Sequence, residues 1–331
     1  MQADGKSQPA RVRSGGTVLS LIAGPLSVPI LRAHLDGPLR LSELRERIGG
    51  AAQTTLRGQI GNLRGLGALE GRAVGGMPYA VENELTDTGR AVLAVAELVE
   101  VWLTRAPQGA IALGSEPAKG AIRALIGGWG STMLRALAAR PLSLTELSSV
   151  IGDHSYPALE RRLSAMRAAR LVEPCSEEQG GSGKPYAVTE WTRTAIGPLI
   201  AAGRCECRHM AGITETLTRI DVEAVFLLAV PLLDLDATHN GPCLLAVNTG
   251  EPGTGEPSGR LAGVHVTIED GVVTSCVSRL EQNPRTWALG TVDAWLEAIL
   301  EKKAVRLRSG GQDPRLAEAI TLGLHEALVG A

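Results

Sequence analysis

Side chains that can hydrogen-bond to phosphate groups or to base edges are concentrated in two stretches of the sequence. A guanidinium group donates in a fixed fork that matches phosphate or guanine, and amide and hydroxyl groups suit the other base edges. The candidates in the first stretch are Gln53, Thr54, Arg57 and Gln59, with Arg64 and Arg72 toward the backbone. Those in the second stretch are Ser155, Tyr156, Arg161 and Arg162, with Arg167, Arg170 and Lys184 toward phosphate. These residue types favour recognition of a polyanion, and the alternative interpretation is the solvated face of two ordinary helices.

Both stretches lie in copies of one sequence unit. The segment LRLSELRERIGGAAQTTLRGQIGNLRGLGALEG, residues 39–71, recurs without a gap as LSLTELSSVIGDHSYPALERRLSAMRAARLVEP, residues 142–174, and nine of the 33 positions are identical. Leu56, Ile60 and Leu63 in the first copy predict the buried stripe of a helix, as do Leu159, Leu163 and Met166 in the second.

Each copy predicts the order helix, helix, turn, helix, hairpin, helix, which is a winged helix-turn-helix. We predict Ser42 as the N-cap in the first copy and a cap at Thr145-Glu146 in the second. Thr86 is predicted to cap a long apolar helix. The second hairpin is expected to have a longer tip, so that the offset between copies grows to 107 by Pro185-Tyr186.

Composition bounds the class of protein. The chain is 44% hydrophobic and only 3% aromatic, which is typical of a globular protein. Its length of 331 residues predicts two or three domains, and no apolar run is long enough to span a membrane. The net charge of −2 is unevenly divided: residues 1–210 carry 24 Lys and Arg against 19 Asp and Glu, and residues 211–331 carry 9 against 16. The repeated part is therefore the better candidate to face a polyanion.

The five cysteines do not form a disulfide framework by number or spacing. Cys205, Cys207 and His209 lack a fourth metal ligand, so we predict no metal site. Two small apolar residues on a helix and a thiol sensor both remain open interpretations. No nucleophile motif, phosphate loop or paired carboxylates are recognisable, and we predict neither a cofactor nor an enzyme.

The C-terminal part changes in texture. Apolar segments such as GRLAGVHVTIEDG predict strands, and Glu269-Asp270-Gly271 predicts a hairpin turn. TWALGTVDAWLEAILEKK is interpreted as one amphipathic helix that carries Trp287 and Trp295 on one face. With Phe226 they are candidates to bind an apolar or aromatic small molecule, and Trp129 is a further stacking candidate; ordinary core packing is the alternative.

The first copy resembles the HxlR branch of the MarR-like winged-helix transcription regulators. The resemblance is carried by the GP-x-R-L-S-E-L segment at residues 37–44, the leucine-rich third helix and the LT-x-x-G segment at residues 85–89. The second copy is less similar, and the C-terminal part is similar to sterol carrier protein type 2-like domains. Many relatives sense thiol-reactive compounds through a cysteine early in the unit, where this chain has none.

The resemblance implies an internal pseudo-dimer, because such regulators pair through the helices that flank the winged unit. RAVLAVAELVEVWL would then pack against AIGPLIAAGRCECRHM, with Cys205 at the position of Leu98. We thus expect a mainly α fold with an α+β C-terminal part: a flexible tail at 1–16, two tandem winged helix-turn-helix domains at 17–108 and 115–210, and an α+β ligand-binding-type domain at 211–331.

The expected function is a cytoplasmic, ligand-responsive transcription regulator that binds double-stranded DNA, with an apolar or aromatic effector in the C-terminal domain. The chief alternative is a small-molecule-binding or sequestering protein in which the winged helices are scaffold. Gly58, Gly61 and Gly65 in the third helix, and Glu160 where the first copy has Arg57, favour that alternative. Further association into a homodimer is left open.

Overall fold

The first unit (residues 16–104) places its third helix between a short helix and a three-stranded sheet. The computed structural model describes residues 15–75, 80–152, 154–175, 183–210, 219–248 and 261–330. The elements of the first unit are α1 (Gly16–Ile22), α2 (Ser27–Ala33), β1 (Leu39–Arg40), α3 (Leu41–Ile48), α4 (Gln53–Gly65), β2 (Leu69–Val74), β3 (Ala80–Leu85) and α5 (Asp87–Thr104). The strands pair antiparallel in the order β1-β3-β2.

The second unit (residues 116–209) repeats this succession, except that no named strand corresponds to β1 and two helices stand where the first unit has α5. Its elements are α6 (Glu116–Gly130), α7 (Met133–Ala139), α8 (Leu144–Ile151), α9 (Tyr156–Ala168), β4 (Val172–Pro174), β5 (Tyr186–Val188), α10 (Glu190–Thr194) and α11 (Ile196–His209). The helices α3 and α4 return as α8 and α9 with both ends displaced by 103 residues.

The offset of 103 also holds beyond the hairpin, so the predicted growth to 107 is wrong. Leu69 pairs with Leu85 in the first hairpin and Val172 pairs with Val188 in the second, and both residues of the pair are displaced by 103. The second hairpin has shorter strands rather than a longer chain, and Cys205 therefore corresponds to Trp102 and not to Leu98. Both hairpin tips, residues 76–79 and 176–182, lie outside the described residues.

Two of the three predicted helix caps are displaced from the predicted position. The N-cap of α3 is Arg40 rather than Ser42, and the Glu43 carboxylate accepts from the Arg40 backbone N–H at 2.7 Å. The N-cap of α8 is Ser143 rather than Thr145, in a capping box with Glu146. The backbone N–H of Ser143, with further hydrogen bonds from Arg140 and from the Ser143 hydroxyl, lowers the pKa of the Glu146 carboxyl to about 2. The prediction of Thr86 is confirmed, because its side chain accepts from Gly89 N.

The first two helices meet at a sharp bend where Gly24-Pro25 predicts an interruption. The axes of α1 and α2 are bent by 80°. Among the described helices, no single one is long and apolar enough to cross a membrane, and α1 with α2 is the one bent pair that meets the length and composition criteria together.

The C-terminal unit (residues 219–330) packs helices on one face of a five-stranded sheet. Its elements are α12 (Arg219–Ala229), a 3-10 turn at Val230–Leu232, β6 (Gly241–Asn248), β7 (Leu261–Glu269), β8 (Val272–Ser278), β9 (Thr286–Thr291), α13 (Val292–Glu301), β10 (Arg308–Gly311) and α14 (Pro314–Leu328). The strand order is β10-β9-β6-β7-β8, with β6 and β9 parallel and the other pairs antiparallel. Alternate residues of β6 and β7, including Leu245 and Val264, form the core under the helices.

The predicted single helix that carries two tryptophans is wrong. Trp287 lies on β9, whereas Trp295 lies on α13, which begins after Thr291 caps it by accepting from Ala294 N. Trp295 is fully buried and contacts Phe226 edge-on, with ring centroids 4.7 Å apart. Trp287 instead covers Gly310 on the neighbouring strand, where a side chain would collide with the indole. The two tryptophans therefore do not share a face.

The first and second units are joined along α5 and α11. These helices pack against each other, as the resemblance implies. At one end Trp102 and Trp191 stack at 4.7 Å between centroids with an interplanar angle of 15°. Each indole N–H donates to the backbone carbonyl of the other tryptophan, at 3.0 Å from Trp102 and 2.9 Å from Trp191. We call this pair the tryptophan clasp.

Polar contacts from α11 extend the junction in both directions. The buried Glu206 carboxylate accepts from Gly15 N and Val18 N at the start of α1, at 2.6 and 2.7 Å, and burial raises its pKa. Toward the C-terminal unit, Arg204 lies 2.8 Å from Glu301, which also pairs with Arg208. The helix α11 therefore contacts all three parts of the chain.

Candidate nucleic-acid interface

The helix α4 is held from one side only. Leu56, Ile60 and Leu63 are buried, as predicted, and pack toward α3 and β2. The turn before α4 runs through Gly49 and Gly50, both at φ 71°, a conformation that glycine adopts without strain. This helix-turn-helix arrangement leaves the opposite side of α4 in solvent.

The open side of α4 carries three of the predicted contact residues. Gln53, Thr54 and Arg57 are exposed, and Arg57 forms no ion pair within the described part of the chain. The prediction that Gln59 is exposed is wrong. Its amide Nε2 donates to Ser27 Oγ at 2.7 Å and fixes α4 against α2, so the group is committed to the fold.

Three glycines are also exposed on α4. A Cβ atom added at Gly58, Gly61 or Gly65 would meet nothing within 4 Å. The glycines therefore do not relieve a steric conflict within the chain, and they leave a smooth helix surface that another molecule can approach closely.

The substitution Gly61→Ala should raise the free energy of unfolding by about 1 kcal/mol, because alanine loses less backbone entropy in a helix interior. Urea unfolding followed by circular dichroism measures the change. The control Gly89→Ala should instead destabilise, since its Cβ would collide with the Ala68 carbonyl. A lower midpoint for Gly61→Ala would mean that α4 has a packing partner at this position.

The corresponding helix α9 presents a different set of side chains. Ser155, Tyr156 and Arg161 are exposed, and Tyr156 retains 47% of its accessible surface. Glu160 is also exposed, at the position that Arg57 occupies in the first unit. The two helices therefore present different groups at corresponding positions of their open sides.

The prediction that Arg162 reaches outward is wrong for part of the side chain. The residue is half-buried, and its Nη1 is enclosed with no hydrogen-bond partner in the described part of the chain. Arg162 stands at the position of Gln59, whose side chain is likewise turned toward the fold. Helical spacing could have indicated this inward position, which lies three residues after the first residue of the buried stripe and four before the last in both helices.

The last arginine of α4 and the last arginine of α9 each lie against the hairpin of their own unit. The guanidinium of Arg64 covers Gly71 on β2, and that of Arg167 lies 5.5 Å from the ring centroid of Tyr186 on β5. Both arginines are exposed and have no ion pair within the described residues. Gly71 and Tyr186 were not predicted as site residues, because only the hairpin register reveals that they lie beneath the arginines.

The hairpins carry mixed charge. Arg72 is exposed on β2 and faces Glu82 on β3, while Glu82 accepts from Arg40 at 3.0 Å. Glu70 and Glu84 lie opposite each other in the same sheet. Lys184 is exposed next to the second hairpin tip. These carboxylates disfavour phosphate along the hairpin stems, so any phosphate contact falls to the helices and the arginines beside them.

The predicted small-molecule residues do not form one site. Trp129, Phe226 and Trp295 are at most 2% exposed and belong to the hydrophobic core, which agrees with the alternative interpretation of ordinary core packing. Only Trp287 remains partly accessible. A cleft of about 740 Å³ lies instead between the linker at Pro107-Gln108 and the base of the second hairpin, lined in part by Arg170 and Trp191.

Three of the cysteines are unsuited to thiol chemistry. Burial raises the pKa of Cys205 to about 11 and the pKa values of Cys243 and Cys276 to about 12. At neutral pH these thiols remain protonated, and the thiolate is the reactive form. The interpretation of Cys205 as a small buried residue therefore fits its environment.

The first unit defines a class of protein by its helix-turn-helix and hairpin. Residues 21–108 match the HxlR-like helix-turn-helix family, which suggests a DNA-binding transcription regulator. The match covers most of the first unit, from residue 21, and ends in the linker that follows it.

Two further comparisons complete the picture. The chain matches a crystal structure of diamide-treated YodB from B. subtilis at 26% sequence identity and a TM-score of 0.26, over 29% of this chain and 92% of that one. No curated protein matches the chain.

Proposed function

We propose that the protein is a transcription regulator whose two units act together as an internal pseudo-dimer on double-stranded DNA. The observation that carries the proposal is that α4 and α9 both face solvent on one side. Each bears arginines that form no ion pair among the described residues. Arg57 on α4 and Arg161 on α9 are the central groups. In a helix-turn-helix protein this helix enters the major groove, where arginine reads guanine or holds phosphate.

The pseudo-dimer is supported by the junction between the units. Packing of α5 on α11 and the tryptophan clasp hold the two third helices in one covalently linked body. The proposed operator is an imperfect palindrome, because Arg57 in one unit corresponds to Glu160 in the other and a carboxylate accepts from cytosine rather than donating to guanine.

The response to a ligand is proposed through the C-terminal unit. Arg204 and Arg208 on α11 pair with Glu297 and Glu301 on α13, so a change in the C-terminal unit acts directly on the helix that joins the two units. The proposed effector is an apolar or aromatic small molecule. It shifts DNA affinity only if it binds the two arrangements of the units with different affinity.

The test is binding of the purified protein to a labelled fragment of its own upstream region at two salt concentrations. Wild-type binding should be saturable and should weaken steeply with salt, because phosphate contacts release counterions. Arg57→Ala with Arg161→Ala should weaken binding at least tenfold and reduce the salt dependence. The matched control is Arg315→Ala with Arg279→Ala, which removes the same charge from exposed positions of the C-terminal unit.

A second function, small-molecule binding on a winged-helix scaffold, is favoured by the cleft of about 740 Å³ and by the acidic hairpin stem. The same titration separates the two proposals. Absence of saturable DNA binding by the wild-type protein at low salt would contradict the regulator and leave the scaffold. Salt-sensitive binding that is weakened by Arg57→Ala with Arg161→Ala, and not by the control variant, would support the regulator.

A further inference from the structure

The backbone conformation at position 71 does not require a glycine. Gly71 lies within β2, opposite Asn83 on β3, and its backbone is not in the left-handed region that favours glycine. An added Cβ would lie 2.5 Å from both Cζ and Nη2 of Arg64. The missing side chain therefore makes the space in which the guanidinium lies flat on the strand.

The second unit holds the equivalent arginine at the same place by different chemistry. Arg167 corresponds to Arg64, and the pair Pro174–Tyr186 corresponds to Gly71–Asn83 in the register of the hairpins. The second unit has no glycine there, and Arg167 lies over the Tyr186 ring in cation–π geometry. The feature that both units share is the location of the arginine, not the packing that produces it.

Neither arginine is neutralised by a carboxylate among the described residues. Arg40 pairs with Glu82 and Arg140 with Glu146 in the same two units, so acidic partners are available to other arginines nearby. Arg64 and Arg167 are exposed but are held against a strand. A guanidinium that is already ordered loses less side-chain entropy when it binds a phosphate group.

We propose that Gly71 and Tyr186 are positioning residues that hold Arg64 and Arg167 on the hairpins for contact with DNA phosphate. This inference rests on the proposed function of DNA binding. It predicts that both arginines contribute to affinity in a sequence-independent way, and that changing the strand beneath an arginine has the same effect as removing the arginine.

In the first unit the test compares Gly71→Ala with Arg64→Ala in the full chain, by DNA binding at several salt concentrations. Each variant should weaken binding about three- to tenfold and lower the salt slope by about one. The double variant should bind no more weakly than Arg64→Ala alone. Gly120→Ala, which adds the same methyl group at an open helical position, is the control and should leave binding unchanged.

In the second unit, Tyr186→Leu should weaken DNA binding when Arg167 is present. It should cause no further loss in a protein that already carries Arg167→Ala. Tyr186→Phe keeps the ring face and should recover the loss seen with Tyr186→Leu, which a purely structural role of the hydroxyl group would not predict. Thermal unfolding of every variant identifies any loss caused by misfolding.

The outcomes separate this inference from the function on which it rests. Wild-type binding with no effect of Gly71→Ala or Tyr186→Leu would overturn the positioning role alone. Additive losses in either double variant would also overturn it, because the strand would then act independently of the arginine. Absence of wild-type DNA binding would overturn both.

Discussion

Replacing Trp102 with alanine should lower the free energy of unfolding by about 3–5 kcal/mol, the usual cost of removing a buried large aromatic side chain. Trp102 is 2% exposed and stacks on Trp191. The substitution leaves a cavity at the end of the junction between the two units. It also removes the indole N–H that donates to Trp191 O, a carbonyl that keeps the Thr194 hydroxyl as a donor at 2.8 Å. Urea unfolding monitored by circular dichroism measures the loss.

Trp102→Phe separates the two contributions. Phenylalanine retains an aromatic ring for Trp191 but donates no hydrogen bond, and Trp191 O keeps Thr194 Oγ1 as a donor, so the cost should be the smaller one of a single lost hydrogen bond, about 0.5–1.5 kcal/mol. The double variant Trp102→Ala with Trp191→Ala should cost less than the sum of the two single changes, because they share one contact. A cost below about 1 kcal/mol for Trp102→Ala would contradict the clasp as a stabilising junction.

The periodic features of the fold could be predicted from the sequence. The buried stripe of Leu56, Ile60 and Leu63 and the turn at Gly49-Gly50 follow from helical spacing and from glycine's backbone freedom. The repeat itself predicted that the same stripe would return in α9. Such features depend on residues within a few positions of one another, where propensity and spacing act directly.

Helix caps were less predictable because several hydroxyl residues compete for one position. Ser143 satisfies the pattern of Ser or Thr followed three residues later by Glu, and Glu146 completes the box. In the first unit the same position is Arg40, which has no capping hydroxyl, and Glu43 alone contacts its backbone N–H. The predicted Ser42 was the nearest hydroxyl, but it lies inside the helix.

The strand–helix boundary at Thr291 could not be predicted because the six-residue segment TWALGT is too short to distinguish a strand from the start of the helix that follows. Trp287 belongs to β9 through its pairing with Leu244 on β6, a contact between residues far apart in the sequence. The same limit applies to the candidate site. Whether Gln59 turns outward or toward Ser27, and what lies beneath Arg64, depends on neighbours brought together only by the fold.

Several contacts besides the ion pairs of α11 join the three parts of the chain. The clasp joins the two units directly, whereas Arg135 on α7 pairs with Asp221 on α12 and so joins the second unit to the C-terminal unit. Arg193 adds a second link, because it donates to the Leu227 carbonyl at the end of α12. The C-terminal unit therefore contacts the second unit at more than one point.

Replacing Arg135 with methionine should lower the free energy of unfolding by about 1.5–3 kcal/mol, because it removes one charged hydrogen-bond partner of a buried carboxylate. Arg135 Nη1 lies 2.7 Å from Asp221 Oδ1, and the two side chains are 13% and 12% exposed. Methionine preserves apolar contact with Trp129, over which the guanidinium lies at 5.7 Å. Urea unfolding with circular dichroism detection measures the cost.

The second substitution Asp221→Asn should then restore part of the lost stability, since it neutralises the carboxylate that Arg135→Met leaves behind. Recovery in the double variant is the result that identifies charge burial, rather than lost packing, as the cause. Arg123→Met, at an exposed position of α6, is the matched control and should change stability by less than about 0.5 kcal/mol. If the double variant were less stable than Arg135→Met, lost packing rather than charge burial would be the cause of the destabilisation.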